Sequence, residues 1–138
     1  MNITVNVLPL DKPSNNGRIY DRLALEKAIK EFNDKCPVLG AETSLYGIDT
    51  DRPLPLTEVS HVVEKVEIIE NNVTAAIKIL STQKGIALRD MLDKGFPVEF
   101  TPVGVGKIQV EGSPEQIIIT DYTLIGISFW LNNLTKDR

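Results

Sequence analysis

The chain holds one histidine, His61, and one cysteine, Cys36. A lone imidazole can serve as general base for a hydroxyl nucleophile only if a third group orients it and donors meet the developing oxyanion. A lone cysteine forms no internal disulfide and rules out a multi-cysteine zinc site, so Cys36 reads as a small apolar residue near a helix end. Asp49 and Asp51, with Asp121, are the best approach to an oxygen-donor metal cluster, but a solvated loop accounts for them better and no metal is expected. Gly104 and Gly106 have the spacing that opens a dinucleotide-binding turn, yet the third glycine and the following helix are missing. A glycine-bearing turn is therefore expected, and no cofactor.

These residues have to be positioned by a chain of 138 residues, of which 42% are apolar and 25% charged. That length suits one core and that composition suits a folded protein, so a single domain over 1–138 is expected. The net charge of -4 is spread without a Lys/Arg cluster, which removes the footprint of a nucleic-acid binder. No apolar run is long enough to span a bilayer, and Met1 to Lys12 lacks the order of a signal peptide, so no membrane is expected and a cytoplasm is the expected place of synthesis.

Residues 2–8 alternate polar and apolar as a half-buried strand does, and Pro9 ends the run. Asp11 to Gly17 is turn-forming. Asp21 is placed to cap a helix whose buried face is Leu25, Ala28, Ile29 and Phe32, with Pro37 as its stop. Residues 38–57 show little periodicity and are expected to form a long irregular connection. Glu58 to Glu70 and Val73 to Leu80 read as a β-hairpin turned by Asn71-Asn72. Thr82 can cap a second helix through Leu88, Met91 and Leu92, with Gly95 as its left-handed C-terminal residue. Val98 to Thr101 and Lys107 to Glu111 read as separate short strands, and Gln116 to Leu131 as a long one. The sum is an α+β domain with two main helices and a mixed or antiparallel, barrel-like sheet.

Several stretches, in order from about Asn16 to about Ser128, resemble the prohead maturation proteases of tailed phages. Asn16-Gly17-Arg18-Ile19-Tyr20 is similar to the stretch leading into that family's first helix, and Val59-Ser60-His61-Val62-Val63 to its Val-Ser-His strand. Ile79 to Gly85 resembles its hairpin exit and helix start. Val98-Glu99-Phe100-Thr101-Pro102-Val103-Gly104-Val105-Gly106 lies over its nucleophile segment. The resemblance implies a prohead-protease-like, herpesvirus-assemblin-like fold.

It also implies where a catalytic apparatus would lie. The family's serine falls on Thr101, whose methyl stiffens χ1; Pro102 follows and removes an N–H, and Val103 stands in place of arginine. The family's base falls within Gly40-Ala41-Glu42-Thr43-Ser44-Leu45, which has no histidine. His61 matches a strand histidine that is not the base. The third member is sought at Asp121 or Ser128. No catalytic residue is therefore expected, with Thr101, His61 and Asp121 as candidates of low weight.

The resemblance thus suggests a non-enzymatic phage structural protein, foremost a capsid auxiliary or decoration protein on an inactivated protease fold, residing in the virion after assembly in the host cytoplasm. Expected partners are the major capsid protein, other virion proteins or a second copy. Phe129 and Trp130, the loop 38–57 and the tail Leu131 to Arg138 are the candidate contact surfaces. The alternatives are an active maturation protease in which Thr101 attacks with His61 as base, and an internal core or scaffold component.

Overall fold

Alternation in the first residues does produce a strand, β1 (Asn2–Pro9), which lies antiparallel to a later one, Ile3 opposite Ile77. The computed structural model describes residues 1–10, 13, 17–46, 54–112 and 115–132. After β1 come β2 (Arg18–Tyr20), α1 (Arg22–Asn33), β3 (Val38–Gly40), β4 (His61–Ile69), β5 (Asn72–Ile79), α2 (Gln83–Asp93), β6 (Val98–Glu111) and β7 (Gln116–Leu131). One sheet has the order β1-β5-β4-β3 and the other the order β2-β7-β6. All pairings are antiparallel except β2 with β7. The fold is α+β with mixed sheets and two main helices, as expected.

Both helix caps form as their residue types require. The Asp21 carboxylate accepts from the Ala24 amide at 3.1 Å, and the Thr82 hydroxyl accepts from the Gly85 amide at 3.0 Å. Leu25, Ala28, Ile29 and Phe32 of α1 are all buried. They join Val63, Val66, Ile77, Ile119, Tyr122, Leu124 and Ile127 in one cluster drawn from both sheets. Gly95 takes φ 77°, closing α2 in the left-handed conformation assigned to it.

Three local expectations are corrected. Residues 38–57 are not uniformly irregular: β3 and two 3-10 turns, Thr43–Leu45 and Leu56–Glu58, lie among the described ones. β3 is only three residues long, too short for a periodic signal, and is defined by pairing with β4. The helix ends at Asn33, with the Asp34 amide bonded to Lys30 O, before Pro37 can act on it. In the β4–β5 turn the left-handed residue is Glu70, at φ 57°, not an asparagine.

The largest correction concerns β6, which runs unbroken for 14 residues through Pro102, Gly104 and Gly106. A strand at the edge of its sheet tolerates proline, since half its amides point away from the neighbouring strand. The glycines make room for the backbone of β7 as well as for Tyr122 and Ile119: a Cβ on Gly104 would overlap Thr123 O and sit 2.5 Å from the Tyr122 hydroxyl, and one on Gly106 would sit 2.5 Å from Asp121 O and 2.9 Å from Ile119 Cγ2. The paired "short strands" are thus one arm of a long β6–β7 hairpin.

The two sheets meet along β7. Past β3 the chain runs beside the far half of β7, with a parallel bridge between Glu42 and Phe129 and the Phe129 amide donating to Ala41 O at 3.4 Å. The result is a partly closed, barrel-like arrangement with β7 shared by both walls.

Candidate functional site

In β6, Phe100 and Thr101 point to opposite faces, as successive strand residues must. Phe100 lies opposite Phe129, and Thr101 opposite Ser128. The Phe100 and Phe129 rings face the core, where each meets the His61 ring edge-on at centroid distances of 5.9 and 6.0 Å. The other face carries Thr101, Val103, Gly126 and Ser128.

That second face is covered by the turn that follows β3. Thr43 Oγ1 donates to Phe129 O at 2.9 Å and so accepts from Ser128 Oγ at 2.8 Å, since its single proton is already committed. Ser128 is fully buried beneath it. Tyr46 lies over Gly126, where a Cβ would stand 3.6 Å from its hydroxyl. Burial pushes the Tyr46 phenol up, opposed in part by the Ala41 amide. Its hydroxyl is buried without closing a hydrogen bond among the described residues.

The three positions that the resemblance singled out therefore come together in part. Thr101 is the register partner of Ser128, and Ser128 is hydrogen-bonded to Thr43 from the segment 40–45. Each of the three is a hydroxyl. An alcohol has no appreciable anion near neutrality unless a base takes its proton, and among the described residues this cluster has no such base.

His61 is not part of the cluster. Its side chain is fully buried, and both ring nitrogens are engaged, Nε2 with Ile127 O at 2.8 Å and Nδ1 with Ser60 Oγ at 2.7 Å. A carbonyl can only accept, so the proton sits on Nε2 and Nδ1 accepts from Ser60. Burial lowers the His61 pKa, while the Ile127 carbonyl opposes the shift by favouring the charged form. The ring lies flat over Gly40, where any Cβ would overlap it. His61 thus ties β4 to β7 through the core and faces away from Thr101.

Asp121 is also elsewhere. It lies opposite Lys107, six residues beyond Thr101 along β6, which is about 20 Å of strand. Its carboxylate is 3.9 Å from the Lys107 ammonium, and both side chains are well exposed. The low-weight candidates Thr101, His61 and Asp121 do not converge: strand register separates Asp121 from Thr101, and strand pleat separates His61.

With this geometry in view, the chain can be set beside known proteins. No protein-family model matches the sequence, and no curated protein does. Among solved structures, the bacteriophage T4 capsid assembly protease, gp21, matches with a TM-score of 0.77 at 17% identity, over 94% of this chain and 81% of that one. The fold is similar to that of a phage prohead protease. At that identity the likeness lies in the backbone path, and each side chain has to be read on its own.

Of the two aromatic residues offered as anchors, Phe129 is corrected: it is 7% exposed and belongs to the core with His61 and Phe100. Trp130 is half-buried and lies opposite Glu99. Asp49, Asp51 and the tail beyond Asn132 lie outside the described residues. Among the described residues no group of acidic, His and Cys side chains is arranged to hold a metal. Sequence reasoning missed Thr43, Tyr46 and Ser60. A Ser-His pair at the start of β4, flanked by Val59, Val62 and Val63, was a usable sign of a buried polar contact, whereas nothing local marks Thr43 as the partner of a residue 85 positions away.

Proposed function

We propose that this chain is a non-enzymatic structural protein of a tailed-phage particle, foremost a capsid auxiliary or decoration protein that keeps a prohead-protease fold as a binding module. The similarity to a phage capsid assembly protease supports the capsid context. The observation that carries the non-enzymatic part is the hydroxyl cluster. The place where a nucleophile, a base and an orienting group would converge holds Thr101, Thr43 and Ser128. Loss of single triad members costs about 10⁴ to 10⁶ in rate, and among the described residues the base has no substitute at the site. His61 offers none, because its Nδ1 lone pair is used by Ser60 and its ring faces the core.

A fold can outlive its chemistry, since stability resides in the core and catalysis in a few side chains. The binding surface in this reading is the exposed exterior, with the capsid shell or another virion protein as partner.

Two measurements test this. Mass spectrometry of purified particles should find the chain at a fixed stoichiometry; its absence from finished particles would favour a scaffold or core role instead. Purified protein incubated with a diverse peptide library, and with itself at high concentration, should yield no new termini. Cleavage that disappears in Thr101→Ala would establish the active-protease reading in its place.

A further inference from the structure

The β6–β7 hairpin extends beyond the core as a two-stranded arm. Every described residue from 105 to 112 is exposed, as are Glu115, Gln116 and Ile117. In the strand order β2-β7-β6, β6 is the outermost strand. Among the described residues its outer row of amides and carbonyls along this stretch has no neighbouring strand, an arrangement that templates pairing with another strand.

The arm is only lightly protected: its two register irregularities against β7, at Val103/Gly104 and Lys107/Ile108, place the extra residue in β7 and leave β6 itself continuous. Lys107 is the single charged side chain between Phe100 and Val110 of β6, and the nearest proline, Pro102, lies toward the core end. Ile108, Val110 and Ile117 share the face that carries buried Ile119 and Tyr122 further in, through the pairs Ile108 with Ile119 and Val110 with Ile117. They are 54%, 55% and 38% exposed. The apolar stripe of the core therefore continues onto the arm, where no described residue covers it.

We propose that the outer edge of β6 pairs antiparallel with the same strand of a second copy of this chain, about a two-fold axis through Gln109. The strand's own charges select this partner and this register. With Gln109 opposite Gln109, Lys107 of each copy stands directly across from Glu111 of the other, on one face. Ile108 stands across from Val110 on the other face. Both members of each pair are separated by an even number of residues, so their backbone groups point to the same edge and the ladder closes without a bulge. The hydrogen-bonded sheet becomes β7-β6-β6-β7, and the two apolar stripes merge into one patch. A two-fold interface has to be self-complementary, and a strand with a positive and a negative residue placed symmetrically about an uncharged one satisfies that condition. The intramolecular contact of Lys107 with Asp121 is long and exposed and leaves the ammonium able to serve the cross-copy pair. This inference stands independently of the capsid reading.

Sedimentation equilibrium of the full chain should show a reversible monomer–dimer equilibrium. Lys107→Glu and Glu111→Lys should each weaken dimerisation about five- to tenfold, because each places like charges across both symmetric pairs. The double exchange, Lys107→Glu with Glu111→Lys, should restore it. Circular dichroism melts establish that each variant folds. A separate variant, Gln109→Cys with Cys36→Ser, should form under mild oxidation a disulfide between residues 109 of two copies. A strictly monomeric chain, a dimer indifferent to the charge reversals, single variants that are not rescued by the exchange, or failure to cross-link at 109 would each overturn the proposal.

Discussion

The imidazole of His61 is held in one tautomer by two fixed partners, and this has a consequence for pH. Burial lowers its folded pKa below the ordinary value near 6.5, so in acid the unfolded chain takes up a proton that the folded chain resists. The stabilising neutral form is fully populated above about pH 6.5, and stability declines as pH falls below that value toward the folded pKa. Urea denaturation at pH 7.5 and 5.5 should show the loss, above the range where carboxylates titrate. His61→Ala should remove most of this slope while lowering stability by about 2–4 kcal/mol at pH 7.5, through a cavity beside Phe100 and Phe129 and the abandoned Ile127 carbonyl. A slope unchanged in the variant would place the proton uptake elsewhere.

Among the elements, β4 shows how a strand is completed by something other than a strand. β3 covers only His61 to Val63, and a bulge between Val63 and Lys65 turns the edge beyond it. There the last residue of α1 takes over: Asn33 Nδ2 donates to Val66 O at 2.8 Å, and its Oδ1 accepts from the Val66 amide at 2.9 Å. One carboxamide supplies both bonds of a missing strand neighbour and fixes α1 against the sheet. Asn33→Ala should cost about 1–3 kcal/mol by chemical denaturation, since both Val66 groups lose their partner in a half-buried place. Asn33→Asp keeps only the acceptor and should recover part of that loss. If alanine there changes stability by less than about 0.5 kcal/mol, water replaces the amide and the clasp is incidental.

Across the whole molecule, the barrel-like closure depends on β7, which pairs with β6 on one edge and with β2 and the Ala41–Glu42 stretch on the other. Its inner half, Tyr122 to Phe129, is largely buried, while the arm of the hairpin is exposed. Stability should be distributed in the same way. Native-state hydrogen exchange should find the slowest amides in β4, β5 and residues 124–129 of β7, exchanging through global unfolding. Amides near the hairpin tip should open locally in dilute protein. Uniform protection from core to tip would contradict this division.

By itself the sequence determined what is local. Polar–apolar alternation set β1 and the hairpin of β4 and β5, helical spacing set the buried face of α1, and the cap residues Asp21 and Thr82 and the left-handed Gly95 set helix ends, because each signal lies within a few residues of what it controls. The order of matching segments also pointed to the correct fold. Only the tertiary structure decided which side chains meet. The continuity of β6 through Pro102 depended on its place at a sheet edge, the separation of His61 from Thr101 on strand pleat, and the separation of Asp121 on register. The meeting of Thr43 with Ser128 required a turn to fold over a strand 85 residues later. Contacts of that kind are fixed by how whole sheets pack, and no pattern in the neighbouring residues encodes them.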